Sequence, residues 1–254
     1  MGHSFTPDLQ LFVERLTARS ALSREEQDAI LSLPTERAVV KARHDLVQVH
    51  EKTSHCCFIA AGLVARTGLT RKGARQITAF HIPGDMADLH SAVRPIGVGG
   101  LTALSDTVIL RVPHPAVRAL AARFPGIAEA LWRDCMLDTA ILMEWVVNVG
   151  ARDARTRLAH IFCEMALRYG RDLEALTRYT FPITQEQLGE AAGLTGVHVN
   201  RSLKGLREAG LVTLQAGEVT IHDFQLLART GEFDPQYLVA DTGADRPTRL
   251  LATA

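Results

Sequence analysis

The sequence predicts an α+β fold in three parts: an N-terminal antiparallel β-roll, a long dimerisation helix and a C-terminal winged helix-turn-helix. Three observations carry this. Short apolar or alternating runs punctuated by Gly, Pro and Asp fill residues 43–112, the texture of antiparallel strands joined by tight turns. An uninterrupted helical stretch follows, with no Gly or Pro from Ile127 to Val149. Two helical segments joined by a Gly-Leu-Thr step then run from Ile183 to Val212, with two short alternating runs behind them.

At the N-terminus, residues 5–33 read as helical, and Ser23 with Glu26 forms a capping-box pattern. The strand texture resides in "DLVQVH", "CFIAAGLVART", "RQITAFHIPGD" and "DTVILRVP". No alternation of strand and helix occurs there, which disfavours a parallel sheet. The domains expected are 1–112 (arm and roll), 113–150 (connecting and dimerisation helices), 151–240 (the winged helix-turn-helix, read as helical from 151 to 210 and then as a hairpin) and a largely disordered polar tail, 241–254. Gly150 and the charged "ARDARTR" after it mark the expected hinge.

In the long helix, Ala128, Trp132, Cys135, Thr139, Leu142, Val146 and Val149 repeat at alternating spacings of four and three. Such a seam asks for a partner helix, so a homodimer is expected. Leu131, Met136, Ile141, Met143 and Trp145 are apolar off the seam, so a second side of the helix should lie against the protein's own roll.

In the paired helices near the C-terminus, Gly189 lies where two helices must cross closely, and Gly193 where the turn needs positive φ. Leu188, Ala192, Leu194 and Val199 form the core between the helices, and Leu203 and Leu206 extend it. Thr195 can cap the second helix, leaving free N–H groups for a phosphate. The exposed face then carries Val197, His198, Arg201 and Lys204, with Gly196 at its start. A guanidinium suits guanine O6 and N7, and an isopropyl group suits a thymine methyl. Gln185, opening the first helix, can reach a phosphate. The partner expected is double-stranded DNA. Formal net charge is +0, which leaves the binding to a local basic face.

A β-roll, a seam helix, a hinge and a winged helix-turn-helix in this order resemble the Crp–Fnr family (cyclic-AMP receptor protein / fumarate-nitrate reduction regulators) of bacterial transcription regulators. The resemblance spans residues 9–238 and rests most on "GARQITAFHIPGD" and "TQEQLGEAAGLTGVHVNRSLKGLREAGLV". "HIPGDMADLH" and the "GVHVN" form look most like an alphaproteobacterial subgroup. The resemblance implies a cyclic-nucleotide-binding-like roll, a cytoplasmic homodimer on a palindromic site, and regulation through RNA polymerase contact or occlusion. Carried over by position, the family's base-reading residues fall on Gly196, Val197 and Arg201. Only the arginine is retained, so a different half-site is expected.

The cyclic-nucleotide branch holds its phosphate with an Arg-Ser pair and its ribose with a glutamate. Alignment places Gly99-Gly100 at the pair and Leu89 at the glutamate, and Arg94 stands five residues early. A buried phosphodiester without a cation is costly, so cyclic-AMP binding is not expected, and the effector is left open. Asp88, Leu89, His90, Gly99 and Gly100 are the candidate effector-pocket residues.

No cofactor is expected. The N-terminus lacks the clustered cysteines of the oxygen-sensing branch, and Cys56 and Cys57 should face opposite sides of a strand. His81, Asp85, Asp88 and His90 straddle a turn and do not form a metal set by spacing. The competing reading, a β-roll metal or small-molecule enzyme with a helical appendage, lacks an H-x-H pair, a G-x-S-x-G elbow and a P-loop. No stretch is long and apolar enough for a membrane span.

Overall fold

The computed structural model of the chain describes residues 7–170 and 177–239. The polar tail expected to be disordered lies outside the described residues. Helices α1 (Gln10–Thr17) and α2 (Arg24–Leu31) form the N-terminal arm, and Ser23 and Glu26 make the reciprocal capping box.

Seven strands follow: β1 (Glu36–Val40), β2 (Asp45–Val47), β3 (His55–Ala61), β4 (Val64–Leu69), β5 (Arg75–His81), β6 (Gly100–Ala103) and β7 (Thr107–Pro113). They form two antiparallel sheets ordered β1-β7-β3 and β2-β6-β4-β5. Cys56 packs with the N-terminal helices and Cys57 with Ile59, Val64 and Leu101 inside the roll, so adjacent residues do serve opposite faces. The "CFIAAGLVART" run is two strands, folded over at Gly62 (φ +95°), where a Cβ would meet Thr107.

Helix α3 (His114–Arg123) leads into α4 (Pro125–Ala151), which starts with proline in its first turn. Gly150 lies inside the last turn of α4; the break comes at Arg152, and Asp153 caps α5 (Ala154–Tyr169) through the N–H groups of Arg155 and Thr156. The remaining elements are β8 (Arg178–Thr180), α6 (Gln185–Ala192), α7 (Gly196–Glu208), β9 (Val212–Gln215), β10 (Glu218–Ile221) and α8 (Phe224–Thr230). The hairpin read at Ala216-Gly217 is β9–β10, both turn residues having positive φ. The reading of 151–210 as helical throughout is corrected by β8, which pairs with β10 to complete a three-stranded wing. Among the described residues no helix is long and apolar enough to cross a membrane.

Roll and C-terminal helices share one core. Phe80 of β5 stacks edge-on against Trp145 of α4 (5.3 Å) and against Phe181 below the wing (5.2 Å). Leu158, Phe162, Leu188, Val199 and Leu206 continue the same cluster. A buried charge network joins the parts. Asp85, after β5, pairs with Arg15 of α1 and with Arg168 of α5 (2.8 Å); Arg168 also pairs with Glu164 (3.1 Å). The indole N–H of Trp145 donates to Glu164 at 2.9 Å. His81 and Asp85, which looked like metal-site residues by type, are thus inside this core, and Asp85 is engaged by two guanidinium groups.

Asp134 on α4 lies at the edge of that network, 3.6 Å from Arg15. Burial outweighs this attraction and pushes its carboxyl up to about 6. A carboxyl whose folded pKa exceeds its unfolded value burdens the fold when ionised, so the burden grows as pH rises through about 4 to 6. Asp134→Asn is therefore expected to raise stability at pH 8 by on the order of 1 kcal/mol, with the gain fading by pH 4. Melting curves across that range check the sign; a variant that loses more stability at pH 8 than at pH 5 contradicts it.

Candidate nucleic-acid interface

Helices α6 and α7 form the helix-turn-helix, and local chemistry fixes each joint. Thr184 accepts the Gln187 N–H while the Gln187 side chain accepts the Thr184 N–H, so α6 starts with a capping box. Gly193 ends it in the left-handed region (φ +63°). Gly189 lets the helices meet: a Cβ there would stand 2.7 Å from the Leu194 carbonyl and 3.5 Å from Val199 Cγ2. Val199, Ser202 and Leu206 are the buried side of α7.

The opposite side of α7 faces solvent. Gly196, Val197, His198, Arg201 and Lys204 are all exposed, as is Gln185 at the start of α6. Thr195 occupies the N-cap position, but its side chain makes no capping bond; its hydroxyl meets His198 Nδ1 at 3.1 Å. The first N–H groups of α7 therefore keep the positive end of the helix dipole unscreened by a cap. Lys204 lies 3.7 Å from Glu208, one turn on, where both side chains are open to water. One exposed residue on this face was missed from the sequence: Asn200, whose amide N–H donates to Gln185 Oε1 at 3.4 Å. Its place four residues after Gly196 and one before Arg201 was the available signal.

The back of α6 is turned to the roll. Glu190 pairs with Arg75 of β5 at 2.9 Å, and the Gln76 amide donates to the Ala191 carbonyl at 3.2 Å. Glu190, an acidic residue of α6, is thus engaged within the protein by an arginine of the roll.

On α4 the inward stripe is Ile127, Ala130, Leu131, Asp134, Leu137, Ile141, Trp145 and Asn148. Of the seam residues, Trp132, Thr139, Leu142 and Val146 are exposed, whereas Ala128, Cys135 and Val149 are half-buried in their own chain. Val149 lies against the turn at Gly193. Cys135 packs on the N-terminal helical cluster, where burial raises its thiol to about 11. The outer apolar stripe is therefore rotated toward Met136, Met143 and Val147, also exposed. Trp132, Met136, Thr139, Met143, Val146 and Gly150 form a continuous row at spacings of four and three.

The effector-pocket residues do not all converge. Asp88, His90 and Gly99 line a cavity of about 10 Å³ together with Arg66, Ser91 and Val98. That volume is about one water molecule. Leu89 instead enters the N-terminal helical core, and Gly100 is packed against β4, where a Cβ would come within 2.8 Å of Thr67 Oγ1. Arg94 is exposed. The cation of the cavity is Arg66, on β4, which sequence alignment of the loop could not reveal. It is already engaged: it donates to the Ala87 carbonyl and pairs with Asp138 of α4 at 3.1 Å. Burial pushes the Asp88 carboxyl up to about 6, and its Oδ1 accepts the Cys57 N–H at 2.6 Å.

Comparison with known proteins agrees with this architecture. Residues 156–230 match the Crp-like helix-turn-helix domain. Regulatory protein HlyX of Actinobacillus pleuropneumoniae is 22% identical over 210 residues, covering 83% of this chain and 88% of that protein. Transcriptional regulatory protein btr of Bordetella pertussis is 24% identical over 198 residues, covering 78% of this chain and 82% of its own. The solved structure of FixK2 from Bradyrhizobium japonicum superposes with a TM-score of 0.71 at 23% identity, over 78% of this chain and 98% of that one, a likeness of fold. Residues 156–230, which hold both reader helices, thus form a Crp-like helix-turn-helix DNA-binding domain, in a chain whose roll, long helix and wing follow the fold of FixK2.

Proposed function

We propose that the protein acts in the cytoplasm as a homodimer on a palindromic duplex site, each protomer laying α7 in a major groove. The observation that carries this reading is the exposed row Val197–Arg201–Lys204 on a helix whose other face is locked in the core. Arg201 takes guanine O6 and N7, Val197 packs on a thymine methyl, and His198, Gln185 and the α7 N-terminus hold backbone or base edges. Two copies joined along the outer stripe of α4 place their reading helices about one duplex turn, roughly 34 Å, apart. RNA polymerase contact or occlusion converts occupancy into regulation.

The roll takes no cyclic AMP in this reading. Its cavity is about 10 Å³ and its arginine is already paired with Asp138. DNA binding then proceeds without effector or answers a signal other than a cyclic nucleotide. Thermal-shift measurements against cyclic nucleotides test this part, and a cyclic-AMP shift contradicts it.

Arg201→Ala tests the reader. A selected duplex should bind roughly 10- to 100-fold more weakly at fixed salt, from the loss of one bidentate base contact. The variant should also lose discrimination at a single base pair of each half-site. Unchanged affinity and sequence preference in a gel-shift panel sinks the reading.

A further inference from the structure

We propose that Asn200 is a second base-reading residue, specific for adenine, and that Gln185 is the residue that positions it. This rests on α7 lying in the major groove as described above.

Three features place the asparagine in the reading row. Asn200 is exposed on α7, three residues after Val197, four after Gly196 and four before Lys204, so all four share one helical face. It directly precedes Arg201, so the two side chains address neighbouring base pairs. Gly196 stands one turn earlier on the same face, and a Cβ there would have nothing within 4 Å. That position is bare because of residue choice, not crowding, and it lets a base pair come close to the helix backbone beside the asparagine.

The chemistry then selects the base. An asparagine amide recognises adenine by accepting from N6–H with Oδ1 and donating to N7 through the N–H on the same side as that oxygen. The other N–H points away from this pair of groups. In the protein Asn200 Nδ2 donates to Gln185 Oε1 at 3.4 Å. Using the outer N–H there leaves the adenine-reading edge intact and fixes which way the amide is turned. A freely flipping amide would show acceptor and donor in either order. Gln185 keeps its own NH₂ group for a phosphate, so the residue that sets the register on the backbone also orients the residue that reads the base.

The test uses the full-length protein and selection from a random duplex library at one fixed salt concentration, with wild type, Asn200→Ala, Gln185→Ala, Gln185→Glu and Arg201→Ala. The wild-type site should contain an adenine in each half-site, beside the pair that Arg201→Ala relaxes. Asn200→Ala should reduce discrimination at that adenine from about 10-fold to near none and leave the other positions unchanged. Gln185→Ala should weaken the adenine preference in part. Gln185→Glu keeps an acceptor for the asparagine but repels phosphate, so it should retain the preference while binding every duplex more weakly.

An Asn200→Ala profile identical to wild type overturns the proposal, as does a uniform loss on all duplexes. Loss of the adenine preference in Gln185→Glu equal to that in Gln185→Ala overturns the positioning role. If Arg201→Ala also leaves the profile unchanged, the groove-reading model itself fails; if only the asparagine variant does, this proposal alone fails. Circular dichroism melts confirm that each variant is folded, as expected for changes at exposed positions.

Discussion

Replacing Met143 by glutamate is expected to leave the protomer folded while lowering affinity for a palindromic duplex by about 100-fold or more. The loss follows from geometry, not from any contact with DNA. Met143 is 66% exposed and Trp132, on the same row, 71%. A charge at position 143 therefore costs the isolated chain little. In a dimer built on that row, two-fold symmetry brings the same patch of both helices together. Two carboxylates would then be taken from water close to each other, which opposes association through both desolvation and repulsion. Without the dimer, the second half-site binds as an independent event and the gain from tethering disappears. Sedimentation should show a monomer, half-site affinity should be unchanged, and Met143→Leu should behave as wild type. A Met143→Glu protein that still sediments as a dimer and binds the palindrome normally would place the interface elsewhere.

Arg168→Met should destabilise the fold by about 3–5 kcal/mol, the usual consequence of orphaning buried charges. Arg168 is 3% exposed and serves Asp85 at 2.8 Å, Glu164 at 3.1 Å and the Phe80 carbonyl at 2.8 Å. Methionine fills similar volume with no charge and no donor. For a protein of this size the melting temperature should fall by about 10 °C. The pH dependence has a definite sign. Burial by itself would raise the Asp85 carboxyl, but Arg15 and Arg168 hold it well below the ordinary carboxylate range. A depressed folded pKa contributes stability that is complete above the unfolded value, near 4, and is lost as pH falls below it. The gap between wild type and variant should accordingly be widest at pH 7 and narrow in acid. Adding Glu164→Gln should recover part of the loss, because one orphaned charge is removed. Denaturant unfolding at pH 7 and pH 4 measures both effects; a variant within a degree or two of wild type at pH 7 contradicts the role given to this network.

The reader was the most legible part of the chain. Gly189, Gly193 and the Ala216-Gly217 turn are dictated by sterics among residues close in sequence, and each is used as expected. Strands β1, β6 and β8 were not legible. β1 alternates only weakly between exposed and half-buried positions, β6 is four residues long, and β8 is three residues whose pairing depends on β10. Elements that short take their structure from a partner, so the local pattern carries little signal.

The amino-acid sequence by itself determined the order of roll, long helix and winged reader, and the face of α7 that meets solvent. Those follow from hydrophobic periodicity and backbone sterics, which act over a few residues. Only the tertiary structure decided that Arg66 is held by Asp138, that Arg15 and Arg168 converge on Asp85, that Asn200 leans on Gln185, and that the outer stripe of α4 runs through Met136 and Met143. Each of these is a meeting of side chains from different elements or a rotation of a helix about its own axis. Both are set by how the whole core packs, a condition that no local window of sequence contains.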